Sequence, residues 1–465
     1  MTAPATTESY CPQCGGAIPA QILERDGQVF LRKMCPAHGQ SEARISSSTT
    51  WYRRMMELDS IPKPPGGERK PSLAGCPKDC GYCAGHQQRM AMPVVPVTSA
   101  CNLDCPVCYT INRNMDPFHM SREEFEEILR AMAGRDPEKH VINFTGGEPL
   151  AHPDFLALAR MCSESGIKKI TVSTNGIKLL QDEGLLAGLT DLGVSIVLSF
   201  NSFRKEPYRW SAGADLLEKK LAILERLARY KPSTTLLTVV ARGVNDAEIG
   251  DIVSHVLASD FIVSSEIHPV TYTGQSVGRL PEEARITAPE IIGRIAEKNP
   301  AIREESFLPS PLAHPLCYSI CYLLKLEDGA VAPYADFMEI ETMRGLLSKS
   351  LYLTPSLEAE EALLGAINRL WAADNGGENE KILSALRGQA RRMAKARGGG
   401  GKTAEVERMN KAIYIHSHMD MANFDTNRAK RCCVCVPQPD GGMIPICSYN
   451  NIYRAENPRF SARGR

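Results

Sequence analysis

Three cysteines in the spacing Cys101-x3-Cys105-x2-Cys108 follow a short β-branched stretch at 94–98, and the turn Gly146-Gly147-Glu148-Pro149 lies downstream of them. A cubane iron–sulfur cluster takes one thiolate per iron, four in all. Three thiolates in one loop close around such a cluster and leave its fourth iron open to an outside ligand. The competing use of clustered thiolates is a structural zinc site. Zinc, however, usually takes its cysteines in two pairs that complete a tetrahedron, and no fourth cysteine stands beside this triplet. A chain built around such a loop needs a rigid scaffold that presents the loop and the Gly-Gly turn on the same side.

The pattern from about 93 to 300 supplies one. Strand signals at 94–98, 140–145, 169–174, 195–200, 234–241 and 261–270 alternate with amphipathic helical stretches, among them 121–134 and 213–230. Ser121 with Glu124 three residues on reads as a capping box. Repeated strand-then-helix units argue for parallel strands with right-handed crossovers. The expected fold is therefore α/β: a partial (β/α)6 TIM-type barrel at 91–300, a small cysteine-rich metal-binding head at 1–90, and a helical, cysteine-rich auxiliary-cluster domain at 301–465. Such barrels gather chemistry at the C-terminal ends of their strands. The Gly-Gly-Glu-Pro turn, Ser173-Thr174-Asn175-Gly176, Ser199, Asn201, Asn245 and Asp246 all fall there. Asn245 and Asp246 have an alternative use as helix caps.

On the cysteine triplet and the Gly-Gly-Glu-Pro turn, this stretch resembles the radical S-adenosylmethionine superfamily. The resemblance implies a 4Fe-4S cluster on Cys101, Cys105 and Cys108 whose open iron binds the amino and carboxylate groups of S-adenosylmethionine. One electron then breaks the sulfonium C–S bond to give a 5'-deoxyadenosyl radical. It further implies that Gly146, Gly147, Glu148 and Pro149 meet the methionyl amino group, that Ser173 and Asn175 contact the ribose, and that Ser199 and Asn201 reach the ribose or the carboxylate. Glycines let backbone approach a ligand and a carboxylate accepts from an ammonium group. The superfamily often has an aromatic residue just before the third cysteine; this chain has Val107 there and Tyr109 after it.

The chain has sixteen cysteines, and no stretch reads as a signal peptide or as a membrane span. The expectation is a cytoplasmic protein, where metal ligation rather than disulfide bonding explains so many thiols. Cys162, inside an apolar helical pattern, reads as a buried hydrophobe. Cys76-x3-Cys80-x2-Cys83 reads as ligands of an auxiliary 4Fe-4S cluster with a fourth ligand from elsewhere, or of zinc. Cys11, Cys14 and Cys35 with His38 make a closed Cys3His zinc site, or with a distant cysteine a mononuclear rubredoxin-like iron site. Cys317, Cys321, Cys432, Cys433, Cys435 and Cys447 supply a C-terminal auxiliary cluster and the missing ligands. Spacing does not partition them. Charge is balanced, 54 basic against 54 acidic residues, so no global field recruits nucleic acid. From 381 to 402 the chain is basic and amphipathic, which leaves peripheral contact with the inner membrane face open beside the commoner reading of a solvated helix. The run 398–403 departs from a phosphate loop at Ala396, and nucleoside triphosphate binding is rejected.

Cys11-Pro-Gln-Cys14, Cys35-Pro-Ala-His38-Gly39, the segment from Gly75 to His86 and the tail from Met419 through Cys433 extend the likeness over nearly the whole chain. Together they resemble the archaeal tetraether lipid synthases and their pterin-methylating relatives. The resemblance implies, first, carbon–carbon coupling between lipid hydrocarbon chains and, as the alternative, radical methylation of a pterin. It implies a lipid or small-molecule substrate and an electron donor such as ferredoxin or flavodoxin. A reading of another class is a multi-cluster electron-transfer protein, against which the Gly-Gly-Glu-Pro cradle argues. No histidine singles itself out as catalytic.

Overall fold

The computed structural model describes residues 5–67, 69–81, 83–110, 114, 116–135, 141–353, 355–373, 379–397, 408 and 410–460. The head is an antiparallel meander of four strands, β1 (Ala5–Tyr10), β2 (Ala17–Arg25), β3 (Gln28–Cys35) and β4 (Gly39–Ser46). In β3 the alternation Val29, Leu31, Lys33, Cys35 turns every second side chain inward. Lys33 is among them because its Nζ donates to the Tyr10 carbonyl at 3.1 Å and the Met421 carbonyl at 2.6 Å. These bonds pin the head to the C-terminal segment, and burial holds the ammonium pKa down at about 8.

Six parallel strands follow in sequence order: β5 (Met92–Thr98), β6 (Val141–Gly146), β7 (Lys169–Thr174), β8 (Ser195–Ser199), β9 (Thr234–Val240) and β10 (Ile262–Pro269). β5 is buried along its whole length, as a parallel strand covered on both faces must be. Their crossover helices pack outside on Phe125, Phe144, Phe155, Ile196, Ile223 and Ile252. The expected strands lie within two residues of these at both ends.

The segment after 300 covers both edges of this sheet. At one edge β14 (Asn410–His416) runs parallel to β10, and β12 (Tyr318–Lys325) pairs antiparallel with β14. The short strands β11 (Leu308–Pro309) and β13 (Val331–Pro333) pair with β12. At the other edge β15 (Val434–Pro437) runs parallel to β5 and carries β16 (Met443–Pro445). Each bare edge would offer a row of unpaired backbone groups; here a single C-terminal segment supplies both partners.

Three local expectations change. The stretch 213–230 is not one helix: Gly213, at φ 71°, stops the helix Lys205–Ala212, and the next begins at Leu217. A left-handed residue ends a helix by turning the chain out of it, and glycine does so without a Cβ clash. Ser121 caps its helix by accepting from the Glu124 amide at 3.1 Å, but the Glu124 side chain pairs with Arg459. The basic helix Glu380–Arg397 packs its apolar face, Leu386, Ala390 and Met393, into the core with the helix Leu357–Ala373. Its basic residues Lys381, Arg387, Arg391, Arg392 and Lys395 stay exposed. Among the described residues no helix is long and apolar enough to cross a membrane. The rejected phosphate-loop run 398–403 lies outside the described residues.

Cys321 is a correction as well. Strand alternation puts Tyr318, Ile320 and Tyr322 of β12 toward one core and Cys321 with Leu323 toward another, among Ile291, Ile413 and Phe307. Cys321 is wholly buried in hydrocarbon, away from the other thiols, and behaves as a small apolar residue. Cys162 does the same in the barrel core. Cys321→Ala is expected to keep the wild-type iron content per chain after anaerobic reconstitution, measured by elemental analysis; a drop in iron would return it to the ligands.

Candidate active site at the strand ends

A cavity of about 250 Å3 opens at the C-terminal ends of the barrel strands. It brings together Cys101, Cys105 and Cys108, the turn residues Gly146, Gly147 and Glu148, and the strand-end residues Ser173, Asn175, Ser199 and Asn201. Pro149 is not on its wall: it is buried at the start of the short turn Pro149–Ala151. Val107 and Tyr109 both line the cavity, and the Tyr109 hydroxyl lies 2.9 Å from Thr145 Oγ1.

The two glycines also hold the backbone of the cysteine loop. A Cβ on Gly146 would sit 2.2 Å from the Thr98 carbonyl oxygen, and one on Gly147 2.2 Å from that of Ala100. Gly147 N donates to Thr98 O at 2.8 Å and Glu148 N to Ala100 O at 2.7 Å. The turn thus clasps the backbone just ahead of Cys101, and glycine is required because protein backbone, rather than a ligand, fills the Cβ positions. Glu148 is buried, and its carboxylate already accepts from Thr174 Oγ1 at 2.6 Å, Asn175 N at 2.8 Å and Leu150 N at 3.1 Å. Burial pushes its pKa up, against these donors and Lys220, which favour the ionised form. A carboxylate offers about four acceptor directions, so three internal donors leave room for one from the cavity.

Lys220 was not anticipated from the sequence. It projects from the helix Leu217–Tyr230, fully buried, and its Nζ donates to Asn175 O at 2.7 Å, Ser199 O at 2.6 Å and Ser199 Oγ at 2.9 Å. It thereby ties the ends of β7 and β8 together under the cavity. Burial lowers its pKa to about 8, with Glu148 and Cys105 opposing. Asn175 donates from Nδ2 to Asn102 Oδ1 at 2.7 Å, linking the β7 end to the cysteine loop. Ser173 donates to Asn143 Oδ1 at 3.2 Å. Asn201 is more of a tie than an open contact: Nδ2 donates to Ser211, and Oδ1 accepts from the Val239 amide at 3.0 Å. Asn245 caps no helix with its side chain; it accepts from Ala241 N and donates to the Asn201 and Val239 carbonyls.

Burial pushes the Cys101 and Cys105 thiols up to about 12, with neighbouring charges adding to the shift. Thiolates in such a site need a cation to compensate them, and iron in a cluster supplies it. Among the described residues, two sets converge closely enough to hold a single ion, with ligand atoms within 4.8 Å of one another: Cys11, Cys14, Cys35 and His38, and His268, His416 and His418. The cavity triplet is not one of these sets, as befits thiols that take different corners of a cube rather than one ion.

In the head, His38 Nδ1 lies 3.5 Å from Cys11 Sγ and 3.4 Å from Cys35 Sγ, and Cys14 Sγ is 3.9 Å from Cys35 Sγ. The Cys14 amide directed at Cys11 holds that thiol down at about 6. The fourth donor is thus histidine, not a distant cysteine, and the Cys3His set fits tetrahedral zinc. Cys317, Cys432, Cys433 and Cys447 share one small cavity with Arg428. Burial and mutual repulsion push Cys432 and Cys433 far up. Cys435 faces the other side of β15 from Val434 and Val436, within electrostatic reach of Cys80, which itself bonds Cys76, and of Cys432 and Cys433.

The three histidines were also missed. His268 ends the sixth barrel strand, and His416 and His418 leave β14 beside it, all on the cavity wall. The alternation His416-x-His418 was the available signal, but its partner lies far away in sequence.

Residues 95–256 match the Radical SAM superfamily, and residues 3–47 match the HMPTM N-terminal zinc ribbon domain. The chain is 29% identical over 483 residues to the 7,8-dihydro-6-hydroxymethylpterin dimethyltransferase of Methanocaldococcus jannaschii, covering 97% of this chain and 94% of that protein. It is 31% identical to the GTP 3',8-cyclase of Chlorobaculum tepidum over 42% of this chain, and it spans 62% of the cyclase. Among solved structures it is similar to the FeFe-hydrogenase maturase of Carboxydothermus hydrogenoformans, with a TM-score of 0.36 and 15% identity, covering 46% of this chain and 52% of that one.

Gly147→Ala is expected to displace the loop ahead of Cys101 and to lower iron per chain, with near-wild-type zinc in the head; full iron loading would contradict the clasp. Lys220→Met leaves three acceptors without a donor, each costing about 1–3 kcal/mol when buried. It should raise the KM for S-adenosylmethionine in a cleavage assay, and an unchanged KM would remove Lys220 from the site.

Proposed function

We propose, for a chain that carries a radical S-adenosylmethionine domain behind an N-terminal zinc ribbon, that its reaction is the radical methylation of a pterin-type heterocycle. The observation that carries this reading is the likeness to a pterin dimethyltransferase along almost the full length of both chains. That likeness takes in the zinc ribbon, the barrel and the cysteine-rich tail together. The cavity supports it too. About 250 Å3 with Asn143, Thr171 and Glu266 on its wall suits a flat heterocycle with several hydrogen-bonding edges. Two isoprenoid chains side by side, the substrate of the lipid-coupling reading, would need a longer and more uniformly apolar channel.

When bound, the cluster and S-adenosylmethionine supply a carbon-centred radical able to take hydrogen from an unactivated carbon. Cys101, Cys105 and Cys108 hold the cluster. Glu148 accepts from the methionyl ammonium through its remaining acceptor direction, and Ser173 and Asn175 meet the ribose. Lys220 keeps the β7 and β8 ends at a fixed separation, so that the cofactor's two ends meet a preformed surface. Cys317, Cys432, Cys433 and Cys447 hold one auxiliary cluster, and Cys76, Cys80 and Cys83 take Cys435 as the fourth ligand of another. A small redox protein such as ferredoxin or flavodoxin supplies the electron.

The transferred carbon comes from a second S-adenosylmethionine or a folate-type one-carbon donor. Anaerobically reconstituted protein with dithionite, excess S-adenosylmethionine and 6-hydroxymethyl-7,8-dihydropterin, run with and without a methylene-folate, is expected to give 5'-deoxyadenosine and a methylated pterin by mass spectrometry. Cys105→Ala should abolish both. Formation of 5'-deoxyadenosine with the pterin untouched, together with doubled-length lipid cores in cells expressing the chain, would overturn the pterin reading in favour of lipid coupling.

A further inference from the structure

The cavity wall opposite the cysteine loop carries chemistry that neither S-adenosylmethionine nor the thiolates use. β10 and β14 are parallel neighbours with Ile267 opposite Ile415, so His268 and His416 end side by side. An extended chain repeats its facing every second residue, and His418 falls two residues beyond His416. The three rings pack against one another. His268 and His416 have centroids 5.3 Å apart at 90°, His268 and His418 are 4.9 Å apart at 76°, and His416 and His418 are 3.8 Å apart at 40°. One nitrogen from each lies within 4.8 Å of the others.

We infer that His268, His416 and His418 form a mononuclear site for a divalent first-row cation on the wall of the reaction cavity, separate from the cysteine-held centres. Three imidazole nitrogens are a donor set that suits zinc or ferrous iron. The surroundings are those of a metal site. Glu266 Oε1 lies 2.9 Å from His268 Nε2 and 4.0 Å from His416 Nδ1, the carboxylate–histidine pairing that orients a ligating ring and fixes its tautomer. Tyr318 stacks on His416 at 3.8 Å and 20° and holds that ring in place. His416 is buried, and His268 and His418 are half-buried. Other charged or titratable groups facing the triad are Cys447, whose Sγ is 3.8 Å from His418 Nδ1, and Arg428.

Three protein ligands are the arrangement of catalytic zinc sites, where the fourth position takes water or substrate. All three histidines line the same cavity as the cysteine triplet. The ligand class for that position is therefore an oxygen or nitrogen donor of the molecule bound there, and the site stands whether or not that molecule is a pterin.

The test loads the cluster-containing holoenzyme with Zn2+ under anaerobic conditions, removes excess ion by gel filtration and counts zinc plus iron per chain. Wild type is expected to exceed the His268→Asn/His418→Asn variant by about one ion per chain, with equal cluster absorbance in the two serving as the folding control. Zinc K-edge absorption of the wild type should need a nitrogen/oxygen-only component beside the sulfur-rich ribbon. That measurement decides the matter even if the variant fails to load its clusters. Equal metal totals in two well-loaded proteins, or a wild-type spectrum accounted for by the ribbon alone, would overturn the site.

Discussion

The clasp between two backbone segments, Gly146-Gly147-Glu148 on one side and Thr98 to Ala100 on the other, sets the position of everything in the cavity. Parallel strands fix β5 against β6 only as far as their ends; beyond that the chain is loop, and loops are where position is lost. Two backbone hydrogen bonds at 2.8 and 2.7 Å extend the register past the strand ends and into the cysteine loop. They form only because neither glycine carries a Cβ. Glu148 then fastens the same turn to the end of β7 through Thr174 and Asn175, and Lys220 fastens β7 to β8. The result is a chain of buried polar ties running from strand to strand beneath the cavity, each satisfied and each shielded from water, where such bonds are strongest.

This arrangement explains why the C-terminal segment is part of the same structure rather than an appendage. Its strands cap both edges of the barrel sheet, and in doing so carry His416, His418 and Met419 to one wall of the cavity and Val434 and Ile446 to another. The four thiols Cys317, Cys432, Cys433 and Cys447 sit directly behind that wall. A barrel with open edges would leave the cavity wet; the extra strands close it, which suits chemistry that must keep water from a reactive species.

Much of this was legible in the chain. β-branched runs bounded by turn residues located the six barrel strands, and the cysteine triplet and Gly-Gly-Glu-Pro turn located the end at which the site lies. What escaped reading depended on facing or on distance in sequence. Cys317 and Cys321 look like a pair, yet strand alternation sends Cys321 into hydrocarbon. Gly213 looked like the start of a helix when it ends one, because a left-handed stop and a tolerated helical glycine read alike. Lys220 carries no signal in the sequence, and its burial follows only from three acceptors at the ends of two different strands. The histidine triad joins His268 to residues that reach it only when β14 pairs with β10. The clasp made by the two glycines escaped reading as well, because sequence shows that a Cβ is excluded, not what excludes it.

The roles given to the cavity residues rest on three thiolates that hold an iron–sulfur cluster with one iron open to S-adenosylmethionine. Electron paramagnetic resonance of the dithionite-reduced, oxygen-free protein, recorded with and without that molecule, is the direct test. A reduced-cluster signal is expected that is absent when Cys101, Cys105 and Cys108 are all replaced by alanine and whose g-values move when S-adenosylmethionine is added. A spectrum indifferent to S-adenosylmethionine, or unchanged by loss of the three cysteines, would contradict it.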